Sequence, residues 1–222
     1  MTIIDLSPDA RLCPVIELEP GNFGSCPDLG PGPRTVDQRA TYWRTCLACS
    51  GIVDLAPIQL GSWFVSVHDL TAPFPLNKII QLHLADEEGP TASEDVCPLV
   101  GGFVLYHGSE PVLFPGCCGD LGNLEEWKSA LAQRADSPTM LWVGHPWFFC
   151  WFEDGMFHIR EEREYQKPED PTTVRLTAES LQSAIAAADR ALDDFLPRVV
   201  STLRTMPHLG PADEIGSRLL GR

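Results

Sequence analysis

Hydrophobic and polar positions change their spacing along this chain, and each change predicts a different element. Residues 1–34 hold no sustained period and are rich in Pro and Gly, so we expect an extended N-terminal arm with one short strand, CPVIEL. Helical spacing of apolar residues then begins at Thr35, where Gln38 completes a capping-box pattern. Gly51 is a typical C-terminal stop, so the pattern predicts a first helix between Thr35 and Gly51.

Short apolar runs separated by Pro, Gly and acidic loops occupy the middle of the chain, as sequential strands do. The dipeptide Asp154-Gly155 lies between two further runs, FFCWFE and MFHIRE, and predicts a β-hairpin. A short helix over LEEWKSALAQR, capped by Asn123, is predicted between the two groups of strands. The predicted strands of the first group are SWFVSVHDL (62–70), NKIIQLHLAD (77–86), GGFVLYH (101–107) and EPVLF (110–114).

The last third of the chain has helical periodicity. Thr177 is a suitable cap for a long helix, and Pro197 predicts a kink or a restart within it. Residues 206–222 are expected to form a loose tail with one turn of helix. The apolar stripe of the long helix consists of Leu181, Ile185, Ala188, Leu192 and Phe195.

This order of elements predicts an α+β fold, with a mostly antiparallel sheet covered by an early helix and by C-terminal helices. We expect one domain over residues 35–205, preceded by the arm at 1–34 and followed by the tail at 206–222. No apolar run reaches the length of a membrane span, and the N-terminus lacks the pattern of a secretory signal. We therefore expect a cytoplasmic protein without a membrane partner.

Charge narrows the choice of partner. Asp and Glu outnumber Lys and Arg by 31 to 16, which gives a formal net charge of −15. Nucleic-acid binding depends on clustered Lys and Arg, so this balance argues against a nucleic-acid partner. It favours a basic protein partner, because a negative field speeds the encounter with one. Solubility alone is an equally good explanation of the acidity.

The most distinctive stretch is FPGCCGDLGNLEEW, in which two adjacent cysteines lie among three glycines. Glycine adopts backbone angles that other residues resist, and Asp120 can accept a hydrogen bond from the backbone two residues on. We therefore interpret the stretch as a tight turn between a strand and a helix. The eight cysteines of the chain are expected to be reduced. The residues of the predicted structural turn are Gly116, Cys117, Cys118, Gly119 and Asp120, with Trp127 on the following helix.

Zinc binding is one alternative use of these cysteines. Cys46 and Cys49 have the spacing of zinc ligands, and together with Cys117 and Cys118 they would supply four thiolates. Adjacent residues usually project in different directions, however, which suits a tetrahedral site poorly. We therefore expect no metal and no cofactor, and a zinc-stabilised interaction module remains an alternative.

Cysteine–histidine catalysis is a second alternative. Cys118 would be the nucleophile, His145 in the segment WVGHPWFF the base, and Asp120 the group that orients the base. No spacing in the sequence indicates that the three meet. We therefore predict no catalytic residue, and a Cys/His-dependent enzyme is kept as an alternative.

The order of these motifs resembles a known family. A strand pair that leads into PGCCGDL, a following Trp and a W-x-G-H-P segment, together covering residues 101–151, resemble bacterial proteins of the SUKH superfamily of immunity proteins. The early helix, antiparallel sheet and C-terminal helices are also similar to the SUKH arrangement. The resemblance implies a protein that is not an enzyme. It would bind a nuclease or nucleotide-modifying toxin in a stoichiometric complex and occlude its active site.

Acidic loops and nearby aromatic residues are the predicted contact points for such a toxin. The clefts of nuclease toxins are basic, so an acidic inhibitor mimics the phosphates that they bind. Aromatic side chains often dominate the energetics of interfaces, although core packing is the role that we favour for both tryptophans. The predicted partner-binding residues are Glu87, Glu88, Glu161, Glu162, Glu164, Trp147 and Trp151.

Overall fold

A computed structural model describes residues 2–23, 34–85, 95–162, 172–206 and 210–222. The described chain has an α+β fold in which most strand pairs are antiparallel, as the sequence predicts. Its strands are β1 (Thr2–Asp5), β2 (Ala10–Glu17), β3 (Phe64–Ser66), β4 (Gly101–His107), β5 (Glu110–Leu113), β6 (Thr139–Leu141), β7 (Trp147–Glu153), β8 (Met156–Glu162) and β9 (Thr172–Thr177). Its helices are α1 (Val36–Cys49), α2 (Pro73–Ala85), α3 (Leu124–Gln133), α4 (Ala178–Leu203) and α5 (Ala212–Leu219).

The chain forms two compact units, and each is built from two separate stretches of sequence. The first unit comprises Met1–Pro14 and Val100–Leu192, and the second comprises Val15–Leu99 and Asp193–Arg222. The chain passes from one unit to the other within β2, between Leu99 and Val100, and within α4. The expected domain limits at residues 34 and 205 do not coincide with these boundaries.

The first unit contains a five-stranded sheet with the order β1-β9-β8-β7-β6. The pair β1–β9 is parallel and the other pairs are antiparallel. Strands β7 and β8 form the predicted hairpin, since Glu153 pairs with Met156 across the turn. Asp154 and Gly155 have φ angles of 50° and 79°, which are the positive values that a tight hairpin turn of this type requires. The hairpin prediction is therefore confirmed.

A four-stranded sheet has the order β3-β2-β4-β5. Within the first unit, β4 and β5 are antiparallel neighbours, and they match the predicted strands GGFVLYH and EPVLF. The first six residues of β4 are all buried, which explains why this strand reads as a continuous apolar run without alternation. Within the second unit, Val15–Glu17 of β2 pairs with β3, so the N-terminal arm contributes to a sheet.

Helix α1, in the second unit, begins as predicted. The backbone N–H of Gln38 donates to Thr35 Oγ1 over 3.2 Å, and the backbone N–H of Thr35 donates to Gln38 Oε1 over 2.9 Å. Both halves of the capping box are therefore present. Trp43 is buried on the inner face of the helix, and its indole N–H donates to the carbonyl of Leu18 over 2.9 Å. Gly51, with φ of 81°, follows the helix as the expected stop.

The predicted strand NKIIQLHLAD is wrong, because this segment lies mostly within helix α2. Its buried residues are Leu76, Ile79 and Ile80, which lie three and four positions apart and form one helical face. A short run of Ile and Leu satisfies strand and helix patterns alike, so periodicity does not separate them here. The prolines at 73 and 75 lie in the first turn, where the missing N–H groups leave no helical hydrogen bond unmade.

Helix α4 confirms its predicted cap and contains Pro197 in its interior. The N–H of Ser180 donates to Thr177 Oγ1 over 3.1 Å, and the predicted apolar stripe is buried. The helix runs over 26 residues with Pro197 in its interior, so the predicted restart is not observed. The predicted kink at this residue stays a prediction. No helix of the described residues is long and apolar enough to cross a membrane.

The C-terminal segment, expected to be a loose tail with one turn of helix, contains the eight-residue helix α5. Ile215, Leu219 and Leu220 are completely buried. A Cβ placed on Gly216 would lie only 2.8 Å from Val200 Cγ2, so the absence of a side chain at 216 lets α5 approach α4 closely. The backbone N–H of Leu99 also donates to the carbonyl of Leu219 over 2.8 Å. Helix α5 is therefore an integral part of the second unit.

Replacing Ile215 with alanine tests this role of α5. Ile215 is buried, so Ile215→Ala should lower the free energy of unfolding by about 2–5 kcal/mol through lost burial and the cavity left behind. The matched control is Arg218→Ala on the exposed face of the same helix, which should change it by less than about 0.5 kcal/mol. Urea unfolding followed by circular dichroism measures both variants. Equal stabilities for the two variants would indicate a loose tail.

Candidate functional site

Two loops of the first unit are tied together by backbone hydrogen bonds around Cys117. The N–H of Cys117 donates to the carbonyl of His145 over 2.8 Å, and the N–H of His145 donates to the carbonyl of Cys117 over 2.9 Å. This reciprocal pair is an isolated antiparallel bridge. The N–H of Gly116 adds a third bond, of 2.8 Å, to the carbonyl of Val143. The residue pair Cys117 and His145 is therefore fixed by the backbone, independently of either side chain.

Glycines make this close approach possible. A Cβ on Gly116 would lie 2.2 Å from the carbonyl oxygen of His145, and a Cβ on Gly144 would lie 2.5 Å from that of Cys117. A Cβ on Gly119 would lie 2.7 Å from the carbonyl oxygen of Gly101. Real Cβ atoms do not approach backbone oxygen so closely, so each of these positions requires glycine for steric reasons. The N–H of Gly119 also donates to the carbonyl of Gly116 over 3.2 Å, in the stretch for which the sequence predicts a tight turn.

The turn brings three metal-ligating side chains together. The Sγ atoms of Cys117 and Cys118 and a ring nitrogen of His145 all lie within 4.8 Å of one another, and all three residues are exposed. We call these three residues the cysteine–histidine cluster. The φ angle of Cys118 is 64°, in the left-handed region that non-glycine residues rarely occupy. This turn of the backbone allows the two neighbouring thiols to lie on the same side, which the sequence pattern did not predict.

Two tryptophans flank the imidazole of the cluster. The ring centroid of His145 lies 5.2 Å from that of Trp142, in an edge-to-face arrangement with an interplanar angle of 85°. It lies 5.4 Å from the ring centroid of Trp147 at an angle of 40°. Contacts at these separations are typical of packed aromatic pairs. The imidazole is therefore held from two sides while its residue stays exposed.

Asp120 holds the turn and does so in the predicted way. Its Oδ1 accepts a hydrogen bond of 2.7 Å from the N–H of Gly122, two residues on. Its own N–H donates to Asn123 Oδ1 over 2.9 Å, so the two side chains cap a short 3₁₀ turn that precedes α3. Asn123 was expected to cap α3 itself, but its side chain makes no such bond. Trp127 follows on α3 and is buried.

The remaining cysteines differ from the cluster in their chemistry. Cys46, which we expected to be reduced and considered as a zinc ligand, is disulfide-bonded and so offers no thiolate. The zinc site formed by Cys46, Cys49, Cys117 and Cys118 is therefore not the arrangement observed. Burial raises the pKa of Cys150 to about 12, which keeps its thiol protonated. The Sγ atom of Cys118 and a ring nitrogen of His145 lie within 4.8 Å of each other, as the enzyme alternative requires. Asp120, the group expected to orient the histidine, accepts a hydrogen bond from the N–H of Gly122 through its Oδ1 atom.

The outward face of strand β7 carries a row of aromatic residues. Side chains alternate along a strand, so Trp147, Phe149 and Trp151 share the half-buried face, while Phe148 and Cys150 are buried on the other. The strand register adds neighbours on the same face: Met140 on β6, and Glu162, Arg160 and His158 on β8. We call the set of Met140, Trp147, Phe149, Trp151 and Glu162 the aromatic face.

Three of the predicted partner-binding residues, Trp147, Trp151 and Glu162, belong to the aromatic face. Glu87, Glu88 and Glu164 lie outside the described residues. Glu162 is exposed and directly opposite Trp147, whereas Glu161 pairs with the buried Phe148 and so lies on the other side of the sheet.

Trp151 is engaged in several contacts within the protein. Its ring stacks on His158 with centroids 5.1 Å apart, and its indole N–H donates to Glu153 Oε2 over 3.2 Å. The guanidinium carbon of Arg160 lies 5.6 Å from the centre of the same ring. Trp147 is paired with Glu162 in the strand register, and its ring contacts that of His145 in the cysteine–histidine cluster.

Comparisons with protein families, with curated proteins and with solved structures found no match to this chain. The function is therefore argued from the cysteine–histidine cluster, the aromatic face and the charge of the chain.

Replacing Gly116 with alanine tests the backbone bridge beneath the cluster. The new Cβ would meet the carbonyl of His145, so Gly116→Ala should lower the free energy of unfolding by about 2–4 kcal/mol through steric strain. Gly21→Ala is the matched control, because a Cβ there meets nothing within 4 Å. Thermal and urea unfolding measure both. A Gly116→Ala protein as stable as the control would contradict the close approach of the two loops.

Proposed function

We propose that the protein binds a basic protein partner through the aromatic face, in the way expected of an immunity protein that occludes an intracellular toxin. The observation that carries the proposal is the row Trp147, Phe149 and Trp151 on the half-buried face of β7, with the exposed Met140 beside it. Aromatic residues and methionine are enriched where proteins meet, and they supply most of the energy of such contacts.

Charge determines the kind of partner that fits this face. The chain carries a formal net charge of −15, and Glu162 adds an exposed carboxylate directly opposite Trp147. A negative field attracts a basic protein and accelerates the encounter, while aromatic anchors then slow dissociation. Toxins that act on nucleic acids or nucleotides have basic clefts, and a protein with this combination would occlude such a cleft without performing chemistry.

The experiment first asks whether the gene of this protein lies beside one that encodes a toxin domain, since a neighbourhood of metabolic genes would count against the proposal. It then uses that toxin domain together with this protein. Co-expression of the two should restore growth to cells that the toxin alone arrests, and the two proteins should co-elute from size exclusion as a stoichiometric complex. Failure of both results would overturn the proposal. Growth rescue without a complex would also contradict it, because occlusion requires direct binding.

Removal of the aromatic anchor should accelerate dissociation from that toxin. Trp147→Ala truncates a half-buried ring of the aromatic face, and a central interface residue of this type is worth about 2 kcal/mol or more, so the dissociation rate should rise at least about thirtyfold. Surface plasmon resonance measures the rate. Val53→Ala, at an apolar residue that is 71% exposed in the second unit, is the control and should leave it unchanged. Equal rates for the two variants would place the contact elsewhere.

Reversal of one charge should slow association. Glu162→Lys lies on the aromatic face and should lower the association rate roughly two- to fivefold at low salt, with the difference vanishing at high salt. Asp54→Lys changes the net charge by the same amount at an exposed position of the second unit, and it should have a smaller effect. Equal slowing by both variants would indicate that overall charge alone guides the encounter, which contradicts docking at this face.

A further inference from the structure

We propose that Cys117, Cys118 and His145 form a binding site for Zn²⁺, a cation that binds sulfur and nitrogen ligands. The site is additional to the proposed partner-binding function and does not depend on it. Two thiol sulfurs and an imidazole nitrogen within 4.8 Å of one another carry the inference. Such sulfur and nitrogen donors favour Zn²⁺ or Cu⁺ over the hard cations Mg²⁺ and Ca²⁺, which select oxygen.

The distances suit a tetrahedral ion after a small rotation of the side chains. Zinc–sulfur bonds of about 2.3 Å and zinc–nitrogen bonds of about 2.0 Å place two ligand atoms of a tetrahedron about 3.5–3.8 Å apart. The three ligand atoms of the cluster lie within 4.8 Å of one another, so each has to move by less than about 1 Å to close around an ion. All three residues are exposed, and the imidazole is held between Trp142 and Trp147, so most of this movement falls to the side chains of the two cysteines.

The backbone arranges these ligands in advance. The reciprocal hydrogen bonds between Cys117 and His145 set the spacing of the two loops, and the glycines at 116 and 144 permit it. The left-handed φ of 64° at Cys118 overcomes the usual divergence of neighbouring side chains. Because the turn is held by backbone hydrogen bonds and by the side chain of Asp120, the fold does not require the ion. The site thus differs from a zinc finger, which is unfolded without its metal.

Three protein ligands leave one position of a tetrahedral zinc ion for water or another molecule. The exposure of the cluster means that this fourth position faces solvent. Structural zinc sites are closed by four protein ligands, so an ion here would be accessible and exchangeable. We therefore expect chelators to remove the metal without unfolding the protein.

Metal titration of the reduced full-length protein tests the proposal. The protein is treated with a phosphine reductant and a chelator, freed of both, and then titrated with Zn²⁺ in competition with a chromophoric chelator. We expect about one equivalent of zinc per chain at the cluster and a loss of affinity of at least about tenfold in each of Cys117→Ser, Cys118→Ser and His145→Ala. Co²⁺ should give thiolate-to-metal absorption that each cysteine variant weakens.

Exposed cysteines outside the cluster provide the matched control. Cys49 and Cys97 are exposed and not disulfide-bonded, so Cys49→Ser and Cys97→Ser each remove one thiol, as the cysteine variants of the cluster do, and each should keep the zinc affinity. Binding of less than about half an equivalent by the reduced wild type would overturn the proposal, as would equal losses in the control and the cluster variants. Unchanged affinity in His145→Ala would also overturn it. Circular dichroism with and without chelator should show the same folded protein.

Discussion

The reciprocal hydrogen bonds between Cys117 and His145 are the constraint on which the candidate site depends. They join two loops that are separated by 27 residues of chain, including α3 and β6. The bonds form only because Gly116 and Gly144 let backbone approach backbone, at separations that a Cβ would forbid. Main-chain geometry consequently positions the thiols of Cys117 and Cys118, the imidazole of His145 and the start of β7. The side chains of Cys117 and His145 can therefore change without loss of these bonds, whereas Gly116 and Gly144 cannot be replaced.

Local signals in the sequence predicted local structure well. The capping box at Thr35 and Gln38, the hairpin turn at Asp154-Gly155 and the cap at Thr177 are all observed, because each depends on hydrogen bonds or backbone angles within a few residues. The segment NKIIQLHLAD was wrongly predicted as a strand, because its Ile and Leu residues fit the strand period and the helix period alike. Only their burial in the folded protein distinguishes the two. Helix α5 was underestimated for a related reason. Its burial depends on the close approach of Gly216 to Val200, which no local pattern reveals.

The arrangement of the cysteine–histidine cluster could not be predicted from the sequence. Cys118 and His145 were considered together only as residue types, and zinc was considered with Cys46 and Cys49 because their spacing is recognisable. The structure instead pairs adjacent cysteines with a distant histidine, which requires a left-handed residue at 118 and glycine contacts across two loops. The signal available in the sequence was the glycine beside each ligand segment, in PGCC and in GHP. Glycine next to a potential ligand indicates close backbone approach, but it does not identify the partner segment.

The alternation of side chains along a strand also determines which charged residues share a face with the aromatic residues. Neighbouring residues on a strand project to opposite faces, so Glu162 shares a face with Trp147 while Glu161 does not. Trp147 in turn contacts the ring of His145, so the aromatic face and the cysteine–histidine cluster adjoin at this tryptophan. A protein that covers Trp147 would therefore lie next to the imidazole of His145. Partner binding and metal binding are separate hypotheses, but the His145–Trp147 contact gives a physical route by which the occupant of one site would influence the other.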